Sequence, residues 1–328
     1  MIYVVPTIDV EAIRSLNVLG DFSKLILGEI DNNRYGIEKI ISTIKKFNGT
    51  GTFFIDYAES GHGLNKLRYI TKIVEENKCE VGLHIHPQFI ADISRYLLNE
   101  YSYDEQKEIF RKCINNYLEC SELKNLKTFR AGGYGADDNT MSVLRENNIL
   151  CDSSYFRNHK WCKISPKPLN IISKSDEIVH FPITVFNNLR HYKIFGINIF
   201  KRKFLKKTDI DSLEIQEIDQ IIDFYEKKGE GIINLFMHSY SLISWSPDYS
   251  EYKINMKNIQ KLEYFLKRAT EKEFQIVSIS RAIDIWNNGK QDSEFLPEIS
   301  TFRSIFKSII IFCEVWRRKK IRNKIHYK

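Results

Sequence analysis

Apolar residues recur along this chain in two rhythms. Short apolar runs read as strands buried on both faces, and longer stretches with apolar positions three and four apart read as amphipathic helices. Residues 2–11 (IYVVPTIDVE) predict a buried strand that ends in acids. Ile37, Ile40, Ile41, Ile44 and Phe47 predict a helix over 35–47, and Thr52-Phe53-Phe54-Ile55 a second strand. Leu64, Leu67, Ile70, Ile73 and Val74 mark the next helix, 79–86 a third strand, and 104–119 a helix with Ile109, Phe110, Cys113 and Tyr117 on its apolar face. Thr128-Phe129-Arg130 is a short strand running into a glycine-rich turn, followed by a helix over 138–147 and a strand at Ile149–Asp152. Residues 178–183 predict a strand, whereas 187–209 form an aromatic and basic insertion with no clear period. A helix at 213–228, a strand at 231–237, a helix around Ile259, Leu262, Phe265 and Leu266, a strand at 275–279 and a short helix to Trp286 complete the series. Strands alternating with helices in this way predict an α/β fold with a parallel sheet. The simplest division is a barrel-like domain at 1–288, a linker at 289–300 carrying Gly289, Lys290, Asp292 and Pro297, and a C-terminal tail at 301–328.

Charge refines that division. The net charge of +7 is concentrated at the end, where 317–328 hold Arg317, Arg318, Lys319, Lys320, Arg322, Lys324 and Lys328 with no acid. Without those seven, 42 basic residues face 42 acidic ones, so the body is formally neutral and lacks the basic face that nucleic-acid binding needs. Phe302, Ile305, Phe306, Ile309, Ile310, Phe312, Val315 and Trp316 precede the basic run at helical spacing. That pattern predicts an amphipathic basic helix suited either to an anionic membrane surface or to packing on the barrel. The six cysteines show no C-x-x-C spacing and read as reduced thiols of a cytoplasmic protein. The N-terminus starts directly with a strand and shows no signal-peptide pattern, and no apolar run is long enough to span a bilayer.

The residues able to do chemistry fall at the ends of the predicted strands. Asp9 and Glu11 end the first, His84 and His86 the third, Arg130 with Gly132-Gly133-Tyr134 the fourth, Asp152 the fifth, and His238 the strand from 231. In barrels of parallel strands that face carries the active site. His84 and His86 are two apart, so on a strand both rings point to one side. Two imidazoles with a nearby carboxylate suit a divalent metal such as zinc. Asp9 or Glu11 can serve as general base toward a metal-activated water, His238 as general acid, and Arg130 can orient a carboxylate. Each has a plainer alternative: solvated strand-end acids, a surface salt-bridge partner, a turn former at Asp152, a core histidine at 238. Together they point to metal-assisted hydrolysis.

The ordered set Thr7-Ile8-Asp9-Val10-Glu11, Glu80-Val81-Gly82-Leu83-His84-Ile85-His86, Arg130-Ala131-Gly132-Gly133-Tyr134, Asp152-Ser153-Ser154 and Leu235-Phe236-Met237-His238 resembles the polysaccharide deacetylases, over about residues 1–285. These are carbohydrate esterases of the chitin-oligosaccharide and peptidoglycan deacetylase type. The resemblance implies a distorted (β/α) barrel of seven or eight strands and a divalent metal, usually zinc, held by an Asp-His-His set. It implies that Asp9 is the general base, that His84 and His86 are metal ligands, and that Arg130 orients the base. It also implies that His238 is the general acid, that Asp152 orients His238, and that Tyr134 contacts substrate. Two features depart from the usual motifs. Val10 replaces the second aspartate, so either Asp9 and Glu11 share the base and ligand roles differently or Glu11 supplies the missing carboxylate ligand, and the histidines are two apart instead of four. This variant resembles deacetylase-like proteins of surface-polysaccharide gene clusters. The expected substrate is an N-acetylated sugar in a glycan or sugar nucleotide. The alternatives are hydrolysis of another non-peptide C–N bond, or a catalytically silent glycan-binding barrel.

Overall fold

The computed structural model describes residues 1–15, 18–194, 197–286 and 293–304. The chain opens with β1 (Ile2–Val10), followed by two small hairpins, β2 (Ile13–Ser15) with β3 (Val18–Leu19) and β4 (Glu29–Ile30) with β5 (Asn33–Arg34). Helix α1 (Ile37–Lys46) leads to β6 (Thr52–Asp56), α2 (Leu64–Glu76) to β7 (Glu80–Ile85), α3 (Tyr103–Cys120) to β8 (Thr128–Ala131), and α4 (Asp138–Glu146) to β9 (Cys151–Asp152). Then come β10 (Ser173–Ser175), β11 (Ile178–His180), the long strands β12 (Val185–Ile194) and β13 (Ile197–Lys207), α5 (Ile215–Lys228) and β14 (Gly231–His238). A hairpin of β15 (Ile243–Trp245) and β16 (Tyr252–Ile254), α6 (Met256–Glu271), β17 (Gln275–Ile276), α7 (Ile279–Trp286) and β18 (Glu298–Ser304) end the described chain.

The main sheet has the order β10-β11-β9-β8-β7-β6-β1-β14, with β17 also pairing to β1. Every pairing in it is parallel except β10 with β11. It curls into a half-barrel, and no pairing of β14 with β10 closes it among the described residues. The expected distorted (β/α) barrel is therefore present, with an open seam. All nine residues of β1 are buried, as befits a central strand covered on both faces. The helices form where the apolar stripes predicted them. On α1 the buried positions are Ile37, Ile40, Ile41, Thr43 and Ile44, and α3 begins with a Ser102–Glu105 capping box. Gly229 ends α5 in the left-handed conformation.

Two expectations are corrected. The stretch 187–209 is not irregular: β12 and β13 pair antiparallel from Val185↔Lys207 to Ile194↔Ile197. Its period is hidden because nearly the whole of β13 is solvent-exposed, so neither face is apolar. The expected boundary between 300 and 301 falls inside a strand, because Glu298–Ser304 pairs parallel with β12 from Asn187↔Glu298 to Lys193↔Ser304, while 289–292 of the expected linker lie outside the described residues. Ile299 and Thr301 are buried beneath it, Thr301 Oγ1 donates to Asn188 Oδ1 at 2.9 Å, and Gln220 of α5 bonds Ser300 at both backbone groups. Alternate burial on a short polar strand leaves only two apolar markers, too few to read without its partner. The expected amphipathic helix lies, beyond Ser304, outside the described residues.

Candidate metal centre

Register places the site. Asp9 on β1 stands beside His238 on β14, and His84 on β7 stands between Asp56 on β6 and Arg130 on β8. These residues end their strands, so their side chains gather at the C-terminal rim of the sheet.

Glu11, one residue beyond β1, is buried and turns one oxygen toward both imidazoles. Glu11 Oε2 lies 3.2 Å from His84 Nε2 and 2.9 Å from His86 Nε2. The three donor atoms lie within 4.8 Å of one another. His84 Nδ1 is 2.7 Å from the Arg130 carbonyl. A carbonyl only accepts, so Nδ1 carries a proton, and Nε2 is the atom that would be left to a metal once the ring gives up its second proton. One carboxylate oxygen facing two imidazole nitrogens calls for a positive charge between them, and a carboxylate with two imidazoles is a donor set for zinc and similar divalent ions. The residues therefore fit a divalent metal. Burial alone would raise Glu11, but His86, His84 and His238 hold it well below the usual carboxylate range. Burial lowers His84, yet Asp9, Glu11 and Asp56 lift it to about 9.

Arg130 is fully buried and has no freedom to move. Its Nη1 donates to Asp9 Oδ1 at 2.8 Å, Nη2 to Thr7 Oγ1 and Ser153 Oγ at 3.0 Å each, and Nε to the Ser153 carbonyl at 3.1 Å. The guanidinium lies between the rings of Phe54 and Phe236, at 4.4 and 5.1 Å. A buried ion pair of this kind holds geometry more than it adds stability.

His238 Nε2 is 3.9 Å from Glu11 Oε1, across the cluster from the other two histidines. Its ring stacks on Tyr240 at 4.8 Å, and the Tyr240 hydroxyl donates to Glu11 Oε1 at 2.8 Å. His238 Nδ1 faces Asp211 Oδ2 at 3.6 Å, ion-pair range but longer than a hydrogen bond. Burial lowers its pKa, and Asp211, Glu11 and Asp9 more than reverse that, leaving it above the ordinary imidazole value. Asp211 is itself fixed by Ser241 Oγ at 2.7 Å and Asn258 Nδ2 at 2.8 Å.

The expectation that Asp152 orients His238 is corrected by this geometry. Asp152 Oδ2 is 3.7 Å from His180 Nδ1, and Oδ1 accepts from the Ser154 backbone at 3.0 Å. Asp152 ends β9, which lies between β8 and β11, four strands along the sheet from β1, whereas Asp211 follows β13 next to β14. Tyr134 is buried in the glycine turn, in edge contact with Phe156 and His159.

Four residues of the site were not singled out from the sequence. Asp56 Oδ1 accepts from Ala58 at 2.9 Å; burial pushes this carboxyl up to about 6 against the pull of His86 and His84. Glu59 accepts the Ala12 N–H at 2.8 and 3.0 Å, pinning the turn that carries Glu11. Asp211 faces His238. Lys207, at the root of β13, donates to Tyr134 Oη at 2.8 Å, pairs with Asp209 at 3.1 Å and covers the Phe236 ring at 3.3 Å. Asp56 has a legible signal, since it ends a predicted strand beside the histidine strand. The others lie in loops or in the aperiodic stretch.

No family model matches the chain, and no curated protein matches it in sequence. Solved structures do. A candidate polysaccharide deacetylase from Mycobacterium smegmatis is 16% identical, with 90% of this chain and 93% of that one covered at a TM-score of 0.55. The family 4 carbohydrate esterase of Streptomyces lividans, in complex with acetate, is 9% identical over 90% and 97% of the two chains, TM-score 0.43. A family 4 pseudoenzyme from Bacillus anthracis is 12% identical over 91% and 69%, TM-score 0.43. The first of these establishes that the chain has the polysaccharide deacetylase fold.

Proposed function

We propose that the protein is a metal-dependent hydrolase that removes the N-acetyl group from a sugar of a bacterial surface glycan during its synthesis. One observation carries the reading: Glu11, His84 and His86 converge at the rim of a deacetylase-type sheet, with Asp9–Arg130 on one side and His238–Asp211 on the other. A divalent ion held by those three residues, zinc by its donor set, supplies Lewis acidity toward an amide carbonyl and lowers the pKa of a water. Asp9, fixed through Oδ1 by Arg130, takes the proton of the attacking water as the general base. His238, whose pKa is raised by Asp211 and its other neighbours, gives a proton to the amide nitrogen as the C–N bond breaks. The products are acetate and a free amino sugar. Tyr134, tied to Lys207, is assigned to substrate contact, and Asp152 has no part in the step. The substrate is a glycan or a sugar nucleotide, met in the cytoplasm, with the basic C-terminal stretch touching the anionic inner face of the membrane.

The test begins with metal content. Wild-type protein is expected to carry about one divalent ion per chain, and His84→Ala with His86→Ala to lose it. The metal-loaded protein should then release acetate from N-acetylated sugars. No bound metal even in excess zinc would overturn the mechanism. Metal with no acetate would favour another C–N substrate if a ureide or amide is cleaved, and a glycan-binding barrel if nothing is.

A further inference from the structure

The β12–β13 hairpin has a composition unlike the neutral body it springs from. Residues 185–207 contain seven Lys and Arg and no Asp or Glu. Four of the seven are paired with acids elsewhere: Arg190 with Glu214 at 3.6 Å, Lys203 with Glu298 at 2.8 Å, Lys206 with Glu217 at 2.6 Å and Lys207 with Asp209 at 3.1 Å. Among the described residues no carboxylate lies within ion-pair distance of Lys193, Lys201 or Arg202. Those three sit in the outer half of the hairpin. Lys193 lies 4.2 Å from the ring of Phe302, itself half-exposed on β18, and Tyr192 stacks on Phe200 at 4.4 Å. At the distal end Ile197, Ile199 and Phe200 are 68%, 53% and 51% exposed.

Lysines on an edge strand commonly serve only to block edge-to-edge aggregation. A strand guarded in that way does not also present Ile197, Ile199 and Phe200 to water at its tip. A soluble polyanion would use the basic residues and leave the aliphatic tip without a partner. A bilayer interface uses both, since apolar and aromatic groups enter the headgroup layer and Lys or Arg meet anionic phosphates. No helix among the described residues is long and apolar enough to cross a membrane, so this contact would be made at the surface.

We propose that the β12–β13 hairpin docks the protein on an anionic lipid surface, with Ile197, Ile199 and Phe200 entering the headgroup layer and Lys193, Lys201 and Arg202 meeting lipid phosphates. The other end of β13 places Lys207 in the wall of the candidate site, so docking holds the cleft within roughly 30 Å of the headgroups. The docking does not depend on the reaction proposed above and is measured without substrate.

Flotation of the full chain with phosphatidylcholine vesicles, with and without phosphatidylglycerol, tests it. Wild type should float only with the anionic vesicles. Ile197→Asp with Ile199→Asp, and separately Lys193→Glu with Lys201→Glu, should each lower partitioning by roughly tenfold or more. Unchanged far-UV circular dichroism and metal content in both variants would show that the barrel is intact. Failure of wild type to float overturns the proposal. So does wild-type partitioning of the hairpin variants, including the case where only reversing Arg317, Arg318, Lys319 and Lys320 to Glu abolishes binding, which would move the contact to the C-terminal stretch.

Discussion

Gly132 shows how tightly the metal cluster is framed. A Cβ at this position would fall 2.6 Å from the His86 imidazole, closer than any carbon can approach, so Gly132→Ala must swing the ring away from Glu11. Zinc affinity should fall by about 10–100-fold with little loss of fold, read by competitive titration with a zinc indicator. Unchanged affinity would remove His86 from the ligand set. Glu11 is the other residue on which the cluster turns. Its place opposite two histidines follows from β1 alternation, which sends Asp9 and Glu11 to the same side, and that much was legible from the spacing. The partner of His238 was not. Asp152 ends a predicted strand whereas Asp211 follows the aperiodic stretch, so the local reading points to Asp152. Which one lies beside His238 is decided by the isolated bridge of Asp209 to Phe236 on β14, and that bridge sets Asp211 there.

Among the elements, β18 changes the meaning of the C-terminal region. A linker would tolerate almost any substitution, whereas Ile299 is buried where β18 joins β12 and meets α5. Ile299→Ala should therefore cost about 2–4 kcal/mol in urea unfolding, as for other large core truncations. A cost below about 0.5 kcal/mol would mark β18 as loosely attached. The same three-stranded sheet contains the hairpin. Lys206 and Glu217, with Asn188 bonded to the same carboxylate, tie its root to α5. The root thus supports both Lys207 in the site wall and the exposed basic outer half.

Several thiols and phenols lie wholly inside the described fold. Burial pushes Cys113 and Cys151 well above the ordinary thiol value, and Tyr57 and Tyr225 well above the ordinary phenol value. Raised folded pKa values mean that these groups favour folding fully below their unfolded values, about 8.5 for thiols and about 10 for phenols, and less as pH climbs through the folded values. The urea midpoint should accordingly fall as pH rises above about 8.5, with the phenolate absorbance of Tyr57 and Tyr225 added as a step at the unfolding transition, beyond the signal of solvent-exposed phenols. No such step, with the full phenolate signal of all the tyrosines already reached in the folded chain, would mean that Tyr57 and Tyr225 reach solvent before unfolding.

What the sequence determined by itself is whatever depends on neighbours along the chain. The strands and helices with one dominant apolar face, the α/β class, and the placing of Asp9, Glu11, His84, His86, Arg130 and His238 at strand ends all follow from period and chain order. Tertiary structure decided the rest, because it depends on which strands lie side by side. The bridge of Asp209 to β14 gave His238 its Asp211, and sheet order took Asp152 to His180. Pairing made strands of 185–194, 197–207 and 298–304, whose exposed or polar faces carry no apolar rhythm. Burial turned Asp56 and Glu59 into parts of the site, since a carboxylate is recognisable in sequence but its desolvation and its neighbours are properties of the folded chain.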